Sequence, residues 1–203
     1  MSSTVEPTAE PTAEPATGPA TESAPATEPA IEAASEPAPA GEPDLEAARA
    51  MWEAYAAEHA DAVAAGAEHT VERFGDSEQL ADALLEIVLS GRKRATSELA
   101  SEFLAAGDQL PRIGSHWIAC DGRGVPRIVI RSTELRVGPF DSVDAEFAAA
   151  EGEDDGSLES WKTEHRRYWQ RTTAARGAVW SERDEVVFER FAVVWPPEHA
   201  DPR

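Results

Sequence analysis

An α+β fold, with helices flanking a small and mostly antiparallel β-barrel, is what this sequence predicts. Two observations carry that reading. Apolar residues recur at helical spacing up to about residue 90, then change to strand-like runs from Ile113 onward. The later strands are also separated by helical insertions without the regular strand–helix alternation of a parallel sheet. A third observation locates the fold: residues 1–43 hold no aromatic residue, whereas all six Trp, all six Phe and both Tyr follow Asp44.

Residues 1–43 repeat a loose Glu-Pro-Thr-Ala theme, with eight Glu, nine of the fifteen Pro and no Lys or Arg. Such a segment has no apolar face to bury and is expected to be a disordered, solubilising tail. The domain is expected over residues 44–200. Asp44 suits the N-cap of a helix running to about Ala65, with Leu45, Ala48, Trp52, Tyr55 and Val63 on one face. A second helix is predicted to start at Asp76 or Ser77, where Asp76 and Gln79 fit a capping box. Leu80, Leu84, Ile87 and Val88 form its apolar stripe, and Gly91 stops it.

Ile113–Cys120 then reads as a strand, Asp121–Gly124 as a turn, and Arg127–Val137 as the returning strand. In the returning strand Ile128, Ile130 and Ser132 alternate with Val129, Arg131 and Thr133. Ser142 is expected to cap a short helix through Ala150, and Ser157 a longer one through about Ala175. Glu185–Trp195, rich in Val and Phe and closed by Pro196-Pro197, reads as the last strand.

Composition excludes several functions. The 203 residues carry 39 acidic and 18 basic side chains, a net charge of -21, which opposes sequence-blind binding to a polyanion. The basic groups are nonetheless concentrated in residues 91–136 and 162–176, which leaves room for a local anion-attracting surface or for a mixed solvated one. No run approaches a membrane span, and no export signal is visible, so a cytoplasmic protein is expected. The lone Cys120 reads as a small buried residue. Nothing has metal-ligand spacing, a phosphate loop or a dinucleotide fingerprint, so neither metal nor cofactor is expected.

Gly91-Arg92-Lys93-Arg94-Ala95-Thr96 is the segment with chemistry. A sharp turn at Gly91 would bring the Lys93 amine and the Thr96 hydroxyl into one cleft. Desolvation beside Arg92 and Arg94 would lower the Lys93 pKa and make it a base for Thr96. The same residues also read as a plain charged turn.

Several landmarks in order tie this segment to a known family: Phe74-Gly75-Asp76, Gly91-x-Lys93-x-x-Thr96, Gly114, Asp121-Gly122-Arg123-Gly124-Val125-Pro126, Pro139-Phe140-Asp141, Ala150-Glu151-Gly152, Trp161-Lys162 with His165, and Glu189-Arg190-Phe191. From about Phe74 to Trp195 the chain resembles the ASCH (ASC-1 homology) domains of the PUA-like superfamily. The resemblance implies a twisted PUA-like barrel with a cleft at one side and a link to RNA. Among small bacterial relatives it also implies amide hydrolysis on N(4)-acetylcytidine, or ribonuclease activity.

Carried over by motif, Lys93 is the base, Thr96 the nucleophile and Glu151 the acid/base partner, with a Glu151 pKa raised by burial beside Glu153 and Asp154. Trp161 and His165, four apart on a helical face, either border the ligand, with Trp161 stacking on a base, or serve as packing residues. The expected partner is RNA or a nucleoside-like small molecule. A non-catalytic RNA-binding module using Arg92, Lys93, Arg94, Arg112 and Arg131 is the alternative, as is a metal-independent ribonuclease. The chain departs from close relatives at Glu98, where they often have a basic residue.

Overall fold

The structure, a computed structural model, describes residues 40–202. The disorder expected of residues 1–43 falls, up to residue 39, outside the described residues. At the start of the described chain, Gly41 N–H donates to Gly122 O (2.8 Å) and Asp44 N–H to Gly124 O (2.9 Å).

Helix α1 (Leu45–Glu58) is capped by Asp44, whose Oδ1 accepts from the Glu46 and Ala47 amides. The single helix expected through Ala65 is broken at His59, where the backbone leaves helical angles before α2 (Ala60–Ala65). The His59 ring packs near Tyr55 and Trp195 at the break. Strand β1 (His69–Glu72) follows, then α3 (Glu78–Leu89), capped by Ser77 Oγ on the Leu80 amide. Strand β2 (Ala95–Leu99) runs into α4 (Ala100–Ala106). Strands β3 (His116–Cys120) and β4 (Pro126–Pro139) form the predicted hairpin. Helix α5 (Ala145–Glu151) is capped by Asp144, because Ser142 already belongs to a 3-10 turn at Phe140–Ser142. Helix α6 (Leu158–Ala175) starts from Ser157 as expected, and β5 (Glu185–Trp195) closes the chain's sheet.

The five strands form one mixed sheet in the order β1-β3-β4-β5-β2, with β1 parallel to β3 and every other pair antiparallel. The expected closed barrel is corrected to an open sheet, since among the described residues β1 and β2 stand at opposite edges. These edges are four and five residues long, against fourteen in β4 and eleven in β5, too little ladder to close a barrel. Cys120 is buried, and burial pushes its thiol up to about 11, so it acts as an inert core residue.

Side-chain alternation makes the two faces of the sheet unlike. On one face Ile118 and Val129 pack under α1, and Ala95, Leu99, Val186 and Phe188 pack under α5 and α6. On the other, Trp117, Ile128, Ile130, Phe191 and Val193 pack with Leu85 and Val88 of α3. Continuing across this second face, the register brings Glu189 opposite Thr96, and Val187 opposite Glu98. The apolar face thus turns polar beyond the cover of α3. That polar floor is where the cleft opens.

Candidate functional site

Three backbone contacts carry Lys93 to its place. The chain leaves α3 through Gly91, in the left-handed region (φ +84°), and the Arg92 and Lys93 amides both bond to Ile87 O at 3.0 Å. The Arg94 amide then donates to Ala150 O (2.8 Å), and Arg92 Nη2 to Gly152 O (2.6 Å), so the turn is stitched to the end of α5. Gly152 is also left-handed, and a Cβ there would lie 2.5 Å from Arg92 O. Only glycine permits so close an approach, and it sets Glu151 against Lys93.

The outcome is a buried charge cluster. Lys93 and Glu151 are each 1% exposed, with Lys93 Nζ 3.1 Å from Glu151 Oε2 and 2.5 Å from Glu153 Oε1. Glu151 Oε1 accepts from Ser97 Oγ (2.7 Å) and from Trp161 Nε1 (3.0 Å). His165 Nδ1–H donates to Trp161 O at 3.0 Å, which turns Nε2 toward Glu151 Oε2 at 3.5 Å. Burial alone would push the Glu151 carboxyl up, but Lys93, His165 and the hydrogen bonds from His165 and Ser97 outweigh it and hold the group well below the usual carboxylate range. Burial opposes charge on Lys93 and His165 too, and the neighbouring carboxylates again win, so both are raised.

These directions reverse the sequence expectation. The sequence predicts a lowered Lys93 pKa from desolvation together with the neighbouring Arg92 and Arg94. In the fold, two carboxylates surround the ammonium instead. Glu151 was predicted with a raised pKa, and the same contact pushes it down.

Beside this cluster lies a cleft of about 1120 Å³. Thr96, Glu98 and Glu189 line its floor, with Phe74, Trp117 and Tyr168 among the walls; Glu151, Glu153 and His165 border it. Lys93 stands behind the last three, its Nζ 5.7 Å from the centre of the Phe74 ring. Burial pushes Glu98 up to about 7, although its Oε1 accepts from the Leu99 amide and Trp169 Nε1. It likewise raises Glu189, whose Oε1 accepts from Ser132 Oγ at 2.6 Å, and Glu72 nearby.

Residues 70–195 match the ASCH domain, well over half of the chain. The chain belongs to the ASCH domain family. That family is PUA-like and associated with RNA binding. The chain is similar to a crystal structure of an ASCH domain from Lactobacillus crispatus JV V101, with 26% identity and a TM-score of 0.68, over 74% of this chain and 96% of the other. It is also similar to protein EF3133 from Enterococcus faecalis V583, with 28% identity and a TM-score of 0.64, over 74% and 89%. No curated protein matches it.

Within this ASCH domain the other candidate residues scatter. Arg92 and Arg112 line the cleft, Arg112 paired with Glu68. Arg94 faces away from the cleft, gripping Asp201 at 2.6 Å and the Val88 carbonyl at 2.7 Å. Arg131 lies on β4 opposite His116, a cleft residue, but does not itself line the cleft. Trp161 is a core residue that positions Glu151, its ring stacked on His165 at 4.1 Å, so no base can stack there. The fold also gathers Glu151, Glu153 and His165 with ligand atoms within 4.8 Å, a grouping that spacing in the sequence does not reveal. The Lys93 ammonium already sits among these carboxylates as their cation. Sequence reasoning missed Ser97 as a Glu151 partner and Glu189 as part of the floor. A lone acid inside the Val/Phe run of β5 was the available signal.

Proposed function

We propose that the cleft binds a nucleoside-like ligand and hydrolyses an amide on its base, with Thr96 as nucleophile and the Lys93–Glu151 pair as the acid–base couple. The observation that carries this reading is the meeting of Glu151, which borders the cleft that Thr96 lines, with Lys93 just behind it, fifty-eight residues away in sequence. At rest the pair is ammonium and carboxylate. A proton moved along their 3.1 Å hydrogen bond leaves an amine and a carboxylic acid, the base and acid the reaction requires.

The amine takes the Thr96 proton as the hydroxyl oxygen attacks the acyl carbon. Glu151 gives its proton to the departing amine, and the C–N bond breaks. Water then hydrolyses the acyl-threonine: its proton passes to Glu151, and Lys93 returns one to the Thr96 oxygen. Trp161, Ser97 and His165 hold Glu151 in place throughout.

The RNA-binding alternative draws less support, because the arginines named for it are dispersed and Arg94 and Arg112 are already paired. The ribonuclease alternative needs Lys93 to meet phosphorane charge, and two carboxylates already balance that cation. The test is incubation of the full chain with N(4)-acetylcytidine. Cytidine release is expected, falling roughly 10³-fold or more in Thr96→Ala. Absence of release, or turnover unchanged in Thr96→Ala, overturns the reading.

A further inference from the structure

We propose that this cleft selects an unphosphorylated, uncharged ligand, a free nucleoside or nucleobase, over the corresponding nucleotide, and that Glu98 is the residue that imposes the choice. The inference rests on the reading of a nucleoside-like ligand in the cleft, and deepens it by stating the ligand's charge.

The first argument is the state of the cations. Five arginines line the cleft, and each is engaged within the protein: Arg112 with Glu68, Arg167 with Glu164, Arg171 with Asp76, Arg73 with Gly41 O and Arg92 with Gly152 O. Lys93 is covered and neutralised by its two carboxylates. A phosphate entering here would have to compete with a carboxylate for Arg112, Arg167 or Arg171, and with a backbone carbonyl for one donor of Arg73 or Arg92.

The second argument is the floor. Glu98 and Glu189 stand on the same face of adjacent strands as Thr96, so an occupant close enough for attack by Thr96 also lies against both carboxyls. Glu98 is anchored through Oε1 by Leu99 and Trp169 while its Oε2 makes no hydrogen bond among the described residues. A carboxyl held in this way presents a fixed group to the amino and imino edge of a base. It repels a phosphate in a setting where water screens poorly. Burial raises Glu98 and Glu189 and a nearby dianion would raise them further, so seating a phosphate costs either repulsion between like charges or the uptake of a proton, a cost that an uncharged ligand does not meet.

The test compares N(4)-acetylcytidine with its 5′-monophosphate as ligands of the full chain carrying Thr96→Ala, which removes turnover, by calorimetry at fixed salt. The nucleoside is expected to bind at least about 10-fold tighter. Glu98→Lys is expected to narrow that ratio about 5-fold or more and the near-isosteric Glu98→Gln to narrow it by a smaller factor, with the urea unfolding midpoint of each variant as the folding control; an unchanged ratio in both overturns the role of Glu98. Equal or tighter binding of the monophosphate, or no binding of the nucleoside, overturns the inference. A nucleoside preference without cytidine release from the unmodified chain upholds it and defeats the hydrolysis reading. Release at equal kcat/KM from nucleoside and monophosphate does the reverse.

Discussion

Glu151, buried, and Glu98, half-buried, are carboxyls bordering one cleft, yet the fold treats them oppositely. Glu151 has an ammonium, an imidazole, an indole and a hydroxyl as partners, and is held as a carboxylate. Glu98 has an amide and an indole only, and burial pushes it up to about 7. Burial acts the same way on both, so what differs is the compensating charge. A site of this kind can therefore keep one acid ionised at rest and a second poised near neutrality within a single cleft.

The comparison breaks most severely at Lys93. Lys93→Met strands Glu151 without its main cation, and a loss of about 3–5 kcal/mol is expected, read as a lowered midpoint in urea unfolding. Adding Glu151→Gln should recover part of that loss, since the two substitutions remove one shared interaction.

Glu151→Gln alone sharpens the acid side. The Glu151 pKa is depressed in the folded state, so its stabilisation is present above the ordinary carboxylate value and is lost as pH falls toward the folded value. The variant should lose about 1.5–3 kcal/mol near neutral pH and show a flatter decline of Tm in acid.

Trp161→Phe keeps the ring and removes one donor from Glu151, an expected cost of about 1–2 kcal/mol in the same unfolding measurement.

Glu98 provides the opposite sign. Its folded pKa is raised, so its contribution is present below the unfolded value and is lost as pH rises through about 7. Glu98→Gln is expected to lessen the fall in Tm as pH rises from the ordinary carboxylate value to about 7, with little effect below that range. The smallest effect belongs to Arg112→Ala. Its pair with Glu68 is exposed, and stability should change by no more than about 0.5 kcal/mol.

The sequence made β5 and α6 legible because their signals were local: a Val/Phe run ended by two prolines, and a serine cap before a single apolar stripe. The meeting of Lys93 with Glu151 was legible only through an ordered family motif, as no spacing rule links positions so far apart. Strand β2 escaped notice because Thr96, Ser97 and Glu98 face polar surroundings, which removes the apolar alternation of a buried strand. Strand β1, only four residues long, escaped for lack of length. The charge states were misread for a related reason. Arg92 and Arg94 neighbour Lys93 in sequence, while Glu151 and Glu153 neighbour it in space.

Gly152 carries one more consequence. Because the backbone of α5 touches the Arg92 carbonyl without any intervening side chain, the distance between cation and anion is set by main-chain contact. A single methyl at position 152 would act as a spacer, altering the ionisation of the pocket while leaving every charged group unmutated. Shape and electrostatics could then be dissected separately at one site.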